Sequence, residues 1–278
     1  MPSKPSRSGP ARPAGPGQSP SPASAPDGSA AGTQAVRINK ALAQAGICSR
    51  RAADELVAAG RVLVNGVPAT PGQAVDPARD TVSLDGKSVD LVPAGAKHLT
   101  LMLHKPVRTV TTAKDPEGRP TVFSLLPPQY AGHRLVHVGR LDFFSEGLLL
   151  LTDDGELCNR LTPPSHHLAR VYEVTVRGPV PDQALAAMRA GMTLAEGERL
   201  APAAAEVISS GPKGAVLRLV LGQGLNRQIR RMCRDLGLTV LKLVRVALGP
   251  LVLGGLKPGQ VRPLSERELD ELRRAVGL

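Results

Sequence analysis

Asp142 stands where a carboxylate can do chemistry. Val138-Gly139-Arg140-Leu141-Asp142-Phe143-Phe144-Ser145-Glu146-Gly147 runs directly into Leu148-Leu149-Leu150-Leu151-Thr152. A glycine turn thus carries an acid two residues from an arginine, with a wholly apolar run behind it. Such a run reads as a buried strand, which holds the preceding loop on a rigid support. An adjacent guanidinium favours the ionised carboxylate even in a desolvated pocket, so nucleophilic or acid–base work is open to it. An isolated loop aspartate more often forms a turn or caps a helix. Its partners must decide.

Three later segments supply partners. Arg170-Val171-Tyr172-Glu173-Val174 is a strand pattern carrying one of the two tyrosines. Asn226-Arg227-Gln228-Ile229-Arg230-Arg231-Met232 opens a strongly basic helix, and Leu241-Lys242-Leu243-Val244-Arg245-Val246 is an apolar strand with two basic residues. No P-loop, HExxH or dinucleotide glycine fingerprint competes. Gly222-Gln223-Gly224 lacks a strand–turn–helix continuation. His133 and His137 lie on a strand approach, where a spacing of four does not put them on one helix face, and His166-His167 is a loop pair. No metal site is expected.

The elements that must position these residues are legible from Leu99 onward. Strands are predicted at Leu99–His104, Gly147–Thr152, Val171–Arg177, Ala215–Leu221 and Thr239–Leu248. Helices are predicted at Asp182–Ala190 and Asn226–Leu236, with a last one from Ser265 to Val276 that opens on the capping box Ser265…Glu268. The expectation is an α+β fold: a mixed, mostly antiparallel-sheet domain over 99–278. Ahead of it, Ile38, Leu42 and Ala45 share a helix face that stops at Gly46. Ser49 caps a second helix, with Ala52, Ala53, Leu56 and Val57 inward and Gly60 as its stop. Val62-Leu63-Val64 enters an Asn65-Gly66 turn, and Asp85-Gly86 joins two more short strands. A small α+β module over 36–90 results, with a Pro/Gly-containing linker at 91–98. Residues 1–35 hold eight prolines and almost no large apolar residue, so they are expected to be a disordered, solvated tail without a specific role, favoured over weak RNA contact by Lys4, Arg7 and Arg12.

Composition narrows the partners. The 278-residue chain has a formal net charge of +11, which points to a polyanion. There is no Trp, with two Tyr and three Phe, so a binder that stacks many bases in a row is disfavoured and arginine-driven phosphate contact fits better. Arg37, Lys40, Arg50, Arg51 and Arg61 crowd the small module, against Asp54 and Glu55, and recur at helix starts where backbone N–H groups also favour phosphate. Cys48, Cys158 and Cys233 are odd in number and far apart, which disfavours a disulfide framework or zinc; reduced, buried cysteines in a cytoplasmic protein are expected. No run of 18 apolar residues is present, so no membrane role is expected, and no apolar signal core begins the chain.

Arg-Ile-Asn-Lys-x-Leu-Ala-x-Ala-Gly-x-x-Ser-Arg-Arg-x-Ala, then Gly-Arg-Val-x-Val-Asn-Gly, resembles the alpha-L (S-four) RNA-binding domain. The Gly139–Asp142 loop, the Tyr172 strand and Asn226–Met232, with Thr162-Pro163-Pro164-Ser165 and Leu256-x-x-Gly259-x-x-Arg262, are similar to the motif set of bacterial ribosomal RNA pseudouridine synthases of the small-subunit-A / large-subunit-B type. The resemblance covers roughly 37–276. It implies that Asp142 is the catalytic carboxylate, that Tyr172 stacks on an extruded uracil and helps move its proton, and that Arg230, with Arg227 second, pairs with Asp142. It further implies that Arg140 meets the RNA backbone or the flipped nucleotide, that Arg170 and Arg231 join Arg227 on the substrate, and that Arg37, Lys40, Arg50 and Arg51 bind RNA in the small module. The expected partner is ribosomal RNA; the tail and C-terminal helix point to the large subunit. No cofactor is implied, because the isomerisation adds no group and changes no oxidation state. A monomer is the default expectation. The rival expectation is a non-catalytic RNA-binding ribosome-assembly factor of the same fold. Three departures from the motif set stand out: Arg170 where Lys is usual, Pro163 where His is common, and Gln223 and Leu225 where an acidic and a basic residue are frequent.

Overall fold

Asn-Gly and Asp-Gly dipeptides tolerate the left-handed backbone that a two-residue hairpin demands, and both pairs in the small module adopt it: φ is 52° and 80° at Asn65 and Gly66, 52° and 75° at Asp85 and Gly86. The computed structural model describes residues 35–91, 97–162, 168–212 and 214–278. The expectations for the tail, for most of the linker, and for Pro163-Pro164-Ser165 and His166-His167 fall outside the described residues.

The small module runs β1 (Val36–Arg37), α1 (Ile38–Gln44), α2 (Arg50–Ala58), β2 (Val62–Val64), β3 (Val67–Pro68), β4 (Ala74–Val75), β5 (Val82–Leu84) and β6 (Lys87–Val89). The Ser49 hydroxyl accepts from the Ala52 amide at 3.2 Å and starts α2, as its sequence predicts. Strands β3-β2-β5-β6 form one sheet and β1 pairs with β4. Ile38, Leu42, Ala53, Val57, Val62 and Val82 meet in its core.

The larger domain is built on a nine-stranded sheet. Its elements are β7 (Thr100–Lys105), β8 (Val136–Val138), β9 (Glu146–Thr152), α3 (Gly155–Leu161), β10 (Arg170–Val176), α4 (Asp182–Ala190), β11 (Ala204–Gly211), β12 (Gly214–Leu221), α5 (Gln228–Asp235), β13 (Val240–Leu248), β14 (Leu251–Val252), β15 (Val261–Pro263) and α6 (Glu266–Ala275). The order is β11-β12-β10-β13-β9-β7-β15, with β8 on β9 and β14 on β13. All these pairings are antiparallel except β13 with β9. The five sequence-predicted strands and three helices therefore all form, within one or two residues of their expected ends. Strand β11 went unread because its Ala-, Ser- and Gly-rich sequence packs little and most of it is exposed at the sheet edge. Helix α3 also went unread, although Asp154 caps it by accepting from the Glu156 and Leu157 amides at 3.0 and 2.9 Å. The expectation of three buried cysteines is corrected: Cys233 is buried, while Cys48 and Cys158 are half-buried.

The parallel pairing fixes the site. Gly147 lies opposite Arg245, with φ +111°, and a Cβ there would collide with the Arg245 backbone. Only glycine lets the two strands close at this point. Gly147→Ala is expected to cost about 1–3 kcal/mol through overpacking and to lower the melting temperature measured by circular dichroism; an unchanged melt would mean the strands can part here freely.

Candidate active site

The acidic loop is held from below. Lys105, at the end of β7, is fully buried. Its ammonium donates to the carbonyls of Pro106 at 2.9 Å, Asp142 at 3.0 Å and Ser145 at 2.8 Å. The Ser145 amide donates to the Asp142 carbonyl at 3.0 Å, the Arg108 amide to the Phe143 carbonyl at 2.7 Å, and the Thr111 hydroxyl to the Leu141 carbonyl at 2.9 Å. Burial pulls Lys105 from 10.5 down to about 8, opposed by the negative charges of Asp142 and Glu146. Sequence reasoning missed this residue. A lysine ending a strand reads as solvent-facing, and only the packed loop above it shows otherwise.

Asp142 faces a cavity of about 780 Å³ that is also lined by Arg140, Tyr172, Arg227, Arg230 and Arg245. Tyr172 is half-buried on β10, directly across from Arg245 on β13. Arg245 is 3% exposed. Its Nε donates to the Leu148 carbonyl at 2.7 Å, while its Nη2 is buried without a hydrogen-bond partner. Arg230 donates from Nη2 to the Phe144 carbonyl at 2.7 Å, and its Nε likewise lacks a partner. Burial lowers the Arg230 guanidinium from its usual value and the Asp142 charge opposes that shift; arginine stays cationic regardless. Both residues line the cavity, while these two nitrogens are closed off from solvent and have no acceptor among the described residues, which costs stability. Arg245 had a signal in the sequence that went unused: Leu243, Arg245 and Ala247 alternate on one buried face of β13.

The other sequence-predicted residues distribute unevenly. The expected direct ion pair between Arg230 and Asp142 is absent; the guanidinium is taken by the Phe144 carbonyl in the same loop, so its influence on Asp142 is through space. Arg227 lines the cavity from the start of α5 with a left-handed backbone, φ 47°, a strained conformation of the kind that clusters at functional sites. Arg170 lines it too, donating weakly to the Gly222 carbonyl at 3.4 Å. Arg231 is a correction. One residue on from Arg230, a rotation of about 100° carries it off the cavity face to Glu196 and Glu198, which neutralise it outside the cavity. Gln223 accepts from the Ala201 amide at 3.0 Å and Leu225 packs on the core beneath α5, so both departures serve the loop's own structure. His137 lines the cavity and meets the Gly139 carbonyl at 2.9 Å; His133 meets Asp153 at 3.3 Å. In the small module Arg37, Arg50 and Arg51 are exposed and Lys40 half-exposed. Among the described residues, no group of three or more His, Cys, Asp or Glu is placed to hold a metal ion, and no helix is long and apolar enough to cross a membrane.

A basic two-part protein with a cavity holding one acid, one tyrosine, the buried Arg245 and several half-buried or exposed arginines has the makings of an RNA-modifying enzyme. Family comparison agrees in detail. Residues 36–90 match the S4 domain and residues 99–235 match RNA pseudouridylate synthase. An uncharacterized RNA pseudouridine synthase of Mycobacterium tuberculosis strain H37Rv is 41% identical over 245 residues, 87% of this chain and 95% of its own. Ribosomal large subunit pseudouridine synthase B of Bacillus subtilis strain 168 is 35% identical, covering 85% of this chain and 95% of that protein. The Pseudomonas aeruginosa protein of the same name is 40% identical over 87% of this chain and 63% of its own length. A crystal structure of a pseudouridylate synthase superposes with a TM-score of 0.61 at 30% identity, covering 85% of this chain and 99% of that one. The chain belongs to the RNA pseudouridine synthases, isomerases that act on RNA, with an S4 RNA-binding domain in front.

Lys105 generates a two-part expectation. Protonated, it offers three donors to three carbonyls; above about pH 8 one donor is lost. Single-turnover rate is therefore expected to fall as pH rises through 8. Stability moves the other way, because between about 8 and 10.5 the unfolded chain binds more protons and the fold gains with pH. Lys105→Met, which takes the ammonium from all three carbonyls and leaves Asp142's with only the Ser145 amide, is expected to cost on the order of 3 kcal/mol and to remove that pH limb. A limb that persists in the variant would assign it to another group.

Proposed function

We propose that this chain converts a uridine of large-subunit ribosomal RNA to pseudouridine, with Asp142 as the catalytic carboxylate. The observation that carries the reading is Asp142 on a backbone-clamped loop, facing one cavity with Tyr172, Arg230 and Arg245. Support for the ribosomal substrate comes from the Bacillus and Pseudomonas relatives named for the large subunit. The chemistry breaks the bond from ribose C1′ to uracil N1, turns the base, and forms C1′–C5; the proton on C5 leaves and one returns to N1. Atoms and electrons balance within the substrate.

A uridine in paired or stacked RNA must first be extruded, at a cost of a few kcal/mol. Phosphate contacts offset that cost, and Arg140, Arg170 and Arg227 surround the cavity for the purpose. Tyr172 supplies a flat face for the extruded uracil and a hydroxyl close to its ring. The Arg230 and Arg245 guanidinium groups lining the cavity hold positive charge beside the uracil and the flanking phosphate. Arg37, Lys40, Arg50 and Arg51 give the S4 domain, taken as residues 36–90, its grip on the same RNA, and residues 99–278 carry the chemistry as a monomer in the cytoplasm.

On unmodified ribosomal RNA labelled with tritium at uracil C5, the wild type is expected to release tritium and Asp142→Asn to be slower by about 10²–10⁴-fold. A fully active Asn variant would remove Asp142 from the mechanism. Wild type that binds this RNA and releases no tritium would favour the rival, a non-catalytic assembly factor of the same fold.

A further inference from the structure

A second cavity, of about 310 Å³, lies on the other side of the acidic loop. Residues 110–119 contribute one wall, and Arg140–Phe143 with Asn226 contribute the other. Arg140, Leu141, Asp142 and Asn226 line both cavities. The loop that carries the acid is thus a partition with a space on each side.

The outer wall is fixed in place. The Thr111 hydroxyl exchanges hydrogen bonds with the Leu141 carbonyl and amide at 2.9 and 3.3 Å. Val110 pairs with the 120–122 backbone at 2.9 and 3.0 Å. Arg119 is neutralised by Asp115 and Glu117 and sits over the Phe143 ring at 5.9 Å, where it serves as a brace. Lys114 and Arg140 differ. Both are exposed and make no ion pair among the described residues.

Phe143 lines the second cavity, and the next residue, Phe144, stands beside it in solvent, 59% exposed and part of neither cavity's lining. Its ring meets Phe143 edge-on, 5.0 Å between centroids at 80°, so Phe143 props the side chain while leaving it open to solvent. The chain holds three Phe and two Tyr in all. Placing one of so few aromatic rings in water next to the catalytic acid forfeits its burial unless a flat partner covers it.

An RNA strand that delivers one base into the larger cavity must lead its next nucleotide past the partition. We propose that the second cavity is a subsite for the nucleotide adjoining the target uridine, its phosphodiester held there by Lys114 and Arg140 and its base lying outside the cavity, stacked on the exposed Phe144 ring that Phe143 props from the cavity wall. This rests on reading the larger cavity as the uridine site. Phosphate contact and stacking leave different signatures. Removing a phosphate contact flattens the salt dependence of binding by about one unit, while losing a stack weakens binding at every salt concentration.

The test measures dissociation constants for unmodified, in vitro transcribed large-subunit ribosomal RNA over a range of salt concentrations, alongside tritium release. Lys114→Ala is expected to lower the slope of log K against log salt by about 0.9. Phe144→Ala is expected to weaken binding about tenfold with the slope unchanged. Phe144→Trp should restore affinity, and Phe144→Leu, apolar without a stacking face, should not. Lys114→Ala and Phe144→Ala at wild-type affinity and slope would overturn the subsite, as would a Leu variant equal to wild type. Wild type that releases no tritium overturns the uridine reading instead, and the subsite falls with it.

Discussion

One buried ammonium holds the Asp142 loop. Lys105 collects three carbonyls from three positions along the chain, and through two of them it sets the curvature of the loop on which Asp142 stands. A cation taken fully out of water is expensive, and burial shows its cost by pulling the group down to about 8. The return is rigidity. With the loop backbone also tied by Arg108 and Thr111, Asp142 cannot wander by the ångström that would spoil a reacting geometry.

That loop reaches its partners because two strands approach unusually closely. Gly147 and Arg245 face each other across a parallel pair inside an otherwise antiparallel sheet. Antiparallel pairing of β10 with β13 then brings Tyr172 alongside Arg245. Acid, tyrosine and buried guanidinium come from sequence positions 142, 172 and 245, so their meeting depends on strand order β10-β13-β9. Helix α5 adds Arg230 from above by hydrogen bonding to the Phe144 carbonyl.

The net charge of +11 is not spread evenly in its effects. Arg61, Arg119, Arg231, Arg262 and Arg273 are tied to carboxylates and serve the fold. Asp154, for example, both caps α3 and binds Arg273 of α6, at 2.5 Å. The exposed pairs among these, such as Arg61 with Asp85, contribute little individually, yet all of them remove cations from the pool that can meet phosphate. Arg140 and Arg227 at the cavity, and Arg37, Lys40, Arg50 and Arg51 in the S4 domain, stay outside that network.

The sequence by itself determined the family and most of the elements, β11 and α3 being among those it did not. Alternation and apolar runs gave the strands, Ser49 and Ser265 the helix starts, Asn65-Gly66 and Asp85-Gly86 the hairpins, because each is a local signal set by backbone geometry within a few residues. The motif around Asp142 was legible for the same reason. Long-range packing decided what local signals do not encode. It sent Arg231 to Glu196 and Glu198, one position along the helix from Arg230, which stays at the site; a step of about 100° along α5 separates them. It gave Arg230 a carbonyl where a direct ion pair with Asp142 was expected. It also turned Lys105 and Arg245, two basic residues in strands, into a buried clamp and a buried donor, because the surfaces that enclose them come from parts of the chain tens of residues away.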